Sequence, residues 1–383
     1  MPPIFSLILA KGTAESLFLI VTWCATISIH KFNLMPLKGH RVSVVFSRSK
    51  TLLPNITVVD GLTGTGKTMF GPIVSSFQGM ENGRFDYMFE ALQIGWRANR
   101  ITDDFAVTAL RFLADYKLYD GMISREVNFR PTDLSTVLTA ASRKKYLSRL
   151  FQQDGEDVVQ RIKFENPSLL FLTHQLLGNM EIALDAFGER LKIIEPVRHP
   201  YYLIHHWESN FDFCSSGRDF NLSISDGRDE FPWFAVDWIH EFREYTRIEG
   251  AIVSITKLMN DVLDIAENNN HRLHTQTLFI SFEHFVINPY LYISKLEKFL
   301  DRKAPTGIEE ILGDQKVPRL HINGGPTKNI YLKYGTGNLN TIQEHKFDYL
   351  NLQNFARENV RNEVFLELEA VSRRYETMFG FWF

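Results

Sequence analysis

Only two cysteines occur in the 383-residue chain, Cys24 and Cys214, so no more than one disulfide can form and no thiolate metal cluster can be built. Neither sign of charge is in real excess. The 42 Lys and Arg stand against 45 Asp and Glu, and a net charge of -3 provides no global field to attract nucleic acid. Metal-ligand spacing is absent among the 12 histidines: His205 and His206 are adjacent, and His271 and His274 lie beside an Asn run. Internal repeats and low-complexity linkers are absent too. The apolar stretch from Ser16 to Ile29 is broken by Thr and Ser and falls short of the ~20 residues that a membrane helix needs. It is open to reading as a signal-anchor core, a signal peptide, a helix packed on the domain, or sequence upstream of a natural start at Met35. Only Lys11 precedes it as a charged flank. Residues 1–50 are therefore set apart as an N-terminal extension, and 51–383 as the domain. A cytoplasmic location is expected, with membrane anchoring as the alternative. Any membrane contact would run through residues 16–29.

Aromatic residues are plentiful: 31 Phe, 13 Tyr and 6 Trp, in a composition that is 44% apolar and 23% charged. That composition indicates a packed interior. Apolar, β-rich runs recur at 55–60 (NITVVD), 168–174 (SLLFLTH), 192–198 (KIIEPVR) and 277–283 (TLFISFE), separated by helical patterns. Continuous apolar strands alternating with helices predict an α/β fold, a parallel sheet of about five strands covered on both faces. The stretch 79–166 is mostly helical in pattern and reads as an insertion or cap. ALDAFGERL fits a short helix, the aromatic-rich segment from Phe231 onward a long helical region, and the tail a terminal helix.

After the first run comes Gly61-Leu62-Thr63-Gly64-Thr65-Gly66-Lys67-Thr68, the spacing G-x-x-x-x-G-K-T of a phosphate loop. A strand, a glycine turn and a helix start converge backbone N–H groups on an anion, and the helix end adds positive potential. Lys67 would bring its ammonium to the phosphate oxygens, from an exposed loop position that packs against little. An ATP-hydrolysing site would also need an acid at the end of a neighbouring strand to hold Mg²⁺. Glu195 and Glu283 are the nearest candidates, and neither is the expected Asp after four apolar residues.

Three later segments, in chain order, resemble the sulfotransferase family. SLLFLTHQLL is similar to the strand ending in Thr-His that carries the family's catalytic base. LKIIEPVRHPYYLIHHW resembles its 3′-phosphate segment, and TLFISFEHFVINPYLYISKLEKFLD resembles its Tyr-Glu-x-Leu segment and the helix after it. The ending RRYETMFGF is like the family's terminal helix. The chain departs from the family pattern at several positions. Gly64 stands where a Lys is usual, Lys67 follows the last Gly as in ATP loops, and His206 takes the place of a Ser. TKNIYLKYGTGN, with Lys328 and Lys333, is a loose substitute for an Arg-Lys-Gly segment.

The resemblance implies sulfuryl transfer from 3′-phosphoadenosine 5′-phosphosulfate (PAPS) to a hydroxyl or amine of a small-molecule or glycan acceptor, with no metal. Gly64, Thr65, Gly66, Lys67 and Thr68 would hold the 5′ end of the donor. Arg198 would pair with the 3′-phosphate, His206 would add a hydrogen bond or, if protonated, a charge, and His174 would be the base. A surface ion pair is the structural alternative for Arg198, and a satisfied histidine for His174. Glu90 and Arg125, in the 79–166 stretch, are weaker candidates for acceptor contacts. Two other functions stay open: an ATP- and Mg²⁺-dependent small-molecule kinase, and a nucleotide-binding protein without turnover.

Overall fold

The computed structural model describes residues 44–380 except 134, 139, 141, 210–219, 321 and 323–340. The segment 16–29 and the residues Lys328 and Lys333 lie outside that set. Val45–Phe383 forms one compact unit. Its centre is β1 (Asn55–Val59), where a β-branched run favours the extended chain and Ile56 to Val59 are all buried. To one side of it lie β3 (Ser168–Leu172) and then β2 (Arg84–Phe85), and to the other β4 (Leu191–Val197) and then β7 (Thr277–Ser281). The order is β2-β3-β1-β4-β7.

Every pairing in this sheet is parallel, with Val59 registered on Leu172 and on Ile194, and Val197 on Ser281. All five residues of β3 are buried, as expected for strands covered on both faces. The fold class is thus the α/β parallel sheet read from the sequence. The edge strand β2 comes from the 79–166 stretch, which therefore contributes to the sheet as well as capping it. A small antiparallel pair, β5 (Ser223–Ser225) and β6 (Glu230–Pro232), stands apart.

Helix α1 (Lys67–Ser75) follows the glycine turn, and Pro72 lies inside it. Proline has no N–H, so the carbonyl of Thr68, an exposed residue, receives no bond from position 72. Helix α2 (Tyr87–Arg97) starts directly after β2. Its N-cap Asp86 accepts from the N–H of Phe89 (3.0 Å), and one face buries Phe89, Glu90, Gln93 and Ile94. The rest of the cap is α3 (Asp103–Met122), α4 (Arg143–Arg149) and α5 (Glu156–Glu165), and α6 (Glu181–Phe187) leads into β4.

Beyond β4 runs α7 (Ile204–Ser209). The long helix α8 (Arg247–Glu267) opens with a capping box of Thr246 and Glu249, so the aromatics at 231–238 precede this helix instead of lining its face. After β7 follow α9 (Phe282–Ile287), α10 (Pro289–Leu300) and α11 (Ile308–Asp314). The tail is two helices, α12 (Thr341–Asn359) and α13 (Asn362–Phe379), where the sequence suggested one. Among the described residues, no helix is long and apolar enough to cross a membrane.

Candidate active site

Parallel strands end on one edge, and ligands of open α/β sheets bind beyond that edge. The residues that leave it are Asp60 after β1, Thr173 and His174 after β3, and Arg198 after β4. The turn from β1 to α1 is closed tightly. A Cβ on Gly61 would lie 2.6 Å from Thr65 Oγ1 and 2.8 Å from the Pro196 carbonyl oxygen, and one on Gly66 would lie 2.8 Å from the Phe282 ring. Both glycines have φ in the left-handed region (120° and 94°), so no other residue fits there without strain.

Lys67 is the first residue of α1, and its ammonium folds back into the turn. It donates to the carbonyl oxygens of Gly61 (2.5 Å) and Leu62 (3.0 Å). At 6% exposure it is buried, against the sequence expectation of an exposed loop lysine. Burial lowers its pKa, while Asp60, Glu195 and Glu90 act in the opposite direction and favour the charge. Thr65 is buried with its hydroxyl on the Leu62 carbonyl (2.9 Å), and Thr68 is exposed.

Arg198 is buried at 3% exposure, which rules out the surface ion pair. Its Nη1 donates to the Gly64 carbonyl (3.0 Å), and its guanidinium lies 4.5 Å from the centre of the Phe282 ring. Arg319 approaches the same ring at 5.7 Å. Helix α7 brings His206 against the turn, where a Cβ on Gly64 would be 3.3 Å from the imidazole Cδ2. Trp207 Nε1 donates to the Thr63 carbonyl (2.8 Å). Burial, then Arg198 and Lys67, push the His206 pKa down to about 4. The ring is therefore neutral near pH 7 and does not supply the extra charge that a protonated imidazole would. Arg198 and Lys67 thus both disfavour a charge on the His206 ring.

His174 sits at the mouth of the same edge. Its Nδ1 is 2.9 Å from Glu90 Oε1, which also accepts the His174 backbone N–H (3.1 Å). The imidazole stacks on Phe85 at 4.7 Å and on Tyr87 at 6.2 Å. With the Nδ1 proton directed at Glu90, Nε2 is left as the acceptor, the tautomer a base requires. Glu90 is thus the orienting carboxylate of the imidazole, a role the sequence did not reveal. Arg125 is elsewhere, bonded to Asp120 (3.0 Å) and Asp154 (2.9 Å) on the surface of the cap.

The carboxylates considered for Mg²⁺, Glu195 and Glu283, are both buried. The strand beside β1 ends in Thr173 and His174, with no acid. Burial and Asp60 raise the pKa of Glu195 well above the carboxylate range, despite Lys67. Glu283 is fully buried, accepting from the His199 N–H (2.9 Å) and from the hydroxyls of Ser281 and Tyr375. The sequence also gave no sign of Phe282, which meets the loop at Gly66, or of Arg319, which reaches the Phe282 ring and Met69 Sδ (3.4 Å) from beyond β7.

No family model and no curated protein matches the sequence. Among solved structures, the chain is similar to the sulfotransferase domain of an olefin synthase from Synechococcus. Identity is 14% and the TM-score 0.39, over 89% of this chain and 99% of that one. It is similar to the sulfotransferase domain of the curacin biosynthetic pathway at 13% identity and TM-score 0.41, over 86% of this chain and 99% of that one. It is also similar to a retinol dehydratase in complex with androsterone and the inactive cofactor PAP, at 15% identity and TM-score 0.30, over 81% and 82% of the two chains.

Proposed function

We propose that the chain is a sulfotransferase that moves a sulfuryl group from PAPS to the hydroxyl or amine of a small-molecule or glycan acceptor. One observation carries the reading. Beside the phosphate-loop strand, where a phosphoryl-transfer enzyme would place a metal-holding carboxylate, this chain places a carboxylate-oriented imidazole, Glu90–His174. The acceptor oxygen bonds to sulfur as the bond from sulfur to the bridging phosphate oxygen breaks. The acceptor proton passes to His174 Nε2, and 3′,5′-bisphosphoadenosine (PAP) leaves. Lys67 and the amides of Gly64 to Gly66 stabilise the charge that develops on the leaving 5′-phosphate. Arg198 takes the 3′-phosphate, and the neutral His206 adds a hydrogen bond beside it.

Titration calorimetry with PAP in EDTA, and with ATP plus Mg²⁺, tests the proposal, together with PAP release from PAPS in the presence of acceptors. Metal-free binding of PAP with turnover supports it. ATP binding that depends on Mg²⁺, without affinity for PAP, would replace it with the kinase, to which the position of Lys67 is suited. PAP binding with no turnover on any acceptor would leave a nucleotide-binding protein.

A further inference from the structure

Asp60 has no role in the sequence motif, yet it is fully buried and bonded on every side. Its backbone N–H donates to the Ile194 carbonyl (3.0 Å), which ties it to β4. One carboxylate oxygen accepts from Thr173 Oγ1 (2.7 Å), and the other from the N–H groups of Leu176 and Leu177 (2.7 Å each). The short segment carrying His174 is thus pinned at both ends by a single carboxylate. Between those ends, Gln175 N–H donates to the Gly61 carbonyl (3.1 Å), and its Oε1 accepts from Thr63 Oγ1 (3.2 Å). Gln175 is held at φ 42°, a left-handed conformation that a non-glycine residue keeps only when its surroundings impose it. Thr173 N–H completes the attachment on the Val59 carbonyl (3.0 Å).

We propose that Asp60 is a positioning residue that sets the base His174 in register with the phosphate loop, so that donor and base form one rigid frame. The proposal rests on the sulfuryl-transfer reading and adds to it the group that fixes the distance between the two halves of the reaction. Asp60→Asn keeps the size of the side chain but removes the charge that strengthens all three bonds, and it leaves one amide orientation in which the Thr173 hydroxyl must turn from donor to acceptor.

Three quantities are to be compared between wild type and Asp60→Asn: the PAP dissociation constant by calorimetry, PAP release from PAPS with a phenol, an aliphatic alcohol or an amine as acceptor, and the rate at which diethyl pyrocarbonate acylates His174, read by peptide mass. Affinity for PAP should change far less than turnover, by only the modest amount that follows from losing the Asp60 charge near Lys67. Turnover should fall by about 10²-fold, the effect of misplacing reacting groups by about 1 Å. Acylation of His174 should become faster as the ring is released.

Parallel losses of affinity and turnover would mean that Asp60 shapes the phosphate loop instead, and overturn the proposal. Unchanged turnover and unchanged acylation would overturn it as well. If wild type releases no PAP from PAPS with any acceptor, the sulfuryl-transfer reading falls, and the acylation rates alone decide whether Asp60 places His174. Should Asp60→Asn not fold, Thr173→Val removes a single bond of the clamp and gives the same comparison.

Discussion

His174 Nδ1 and Glu90 Oε1 lie 2.9 Å apart, joining the end of β3 to the first turns of α2 across 84 residues of sequence. Glu90 is buried while His174 is partly open, so the pair has an oriented inner end and an accessible outer nitrogen. Replacing His174 with Ala should lower turnover by about 10²–10⁴-fold, the range for removing a general base. Glu90→Gln should lower turnover substantially as well, because an amide no longer fixes the tautomer. The double variant should be little worse than His174→Ala, since groups acting as one unit are not additive. Steady-state rates of the four proteins decide the matter, and additive losses would separate Glu90 from the base.

Lys67→Ala should reduce turnover by about 10²–10³-fold through loss of a donor to the developing charge. It should also lower stability, by about 0.5–1.5 kcal/mol, because the Gly61 and Leu62 carbonyls each lose one of their donors while keeping those from Gln175 and Thr65. Urea unfolding alongside the rate measurement distinguishes this from an exposed lysine, whose removal would leave the midpoint unchanged.

Arg198→Ala should weaken PAP much more than 5′-AMP, by about 2 kcal/mol for a lost charge-assisted contact. The comparison isolates the 3′-phosphate, the one group the two nucleotides do not share. Equal losses would assign Arg198 to holding the Gly64 carbonyl alone.

His206 titrates at about 4 in the folded chain against an ordinary 6.5. The unfolded state therefore binds more protons between these values, and the group lowers stability as pH falls through that window. An anion set among Lys67, Arg198 and His206 reverses the preference, so PAP binding there should take up a proton. Calorimetry at a pH midway between the two values, in buffers of different ionisation heat, should show greater uptake for wild type than for His206→Asn. Protonation of the nucleotide's own phosphates cancels in that difference. Identical uptake in both proteins would remove His206 from the anion site.

A buried network ties the cap to the sheet. Glu81 accepts from Arg149 (2.7 and 3.1 Å) and from the Tyr146 hydroxyl (2.7 Å), and its backbone N–H reaches the Ser168 carbonyl (2.9 Å). Burial opposes ionisation of Glu81, but Lys145 and Arg149 outweigh it and hold the pKa at about 2, below the ordinary 4.5. That stabilisation is complete above 4.5 and is lost as pH falls toward about 2. Arg149→Met should cost about 3–5 kcal/mol near neutral pH, the effect of leaving a buried charge short of its partner. A loss of only about 0–1 kcal/mol, typical of an exposed pair, would show that water reaches the network.

The strands that carry the site were legible because they are buried on both faces and read as unbroken apolar runs. The loop, Thr173–His174 and Arg198 could be placed on one edge from the parallel topology alone. The edge strand β2 has two residues, too few to show a period. Glu90 could not be assigned because its role depends on where α2 starts, which the Asp86 cap and the β2 pairing decide together. Asp60 looked like a plain strand end, since its partners are mostly backbone N–H groups that leave no trace in residue type. The burial of Lys67 depends on a turn whose curvature brings its own carbonyls within reach. The division between α12 and α13 falls at Val360–Arg361, where neither Gly nor Pro marks a stop.

His174, the glycine turn and Arg198 issue from three adjacent strands, β3, β1 and β4. Hydrogen-bonded strands keep a spacing of about 4.8 Å whatever side chains they carry. The backbone is thus a ruler on which the reacting parts are laid out, and the residues between its marks need only remain apolar and well packed. Such a frame tolerates extensive substitution along its strands while holding the few side chains at its rim in fixed relation, so its sequence can drift much further than its geometry.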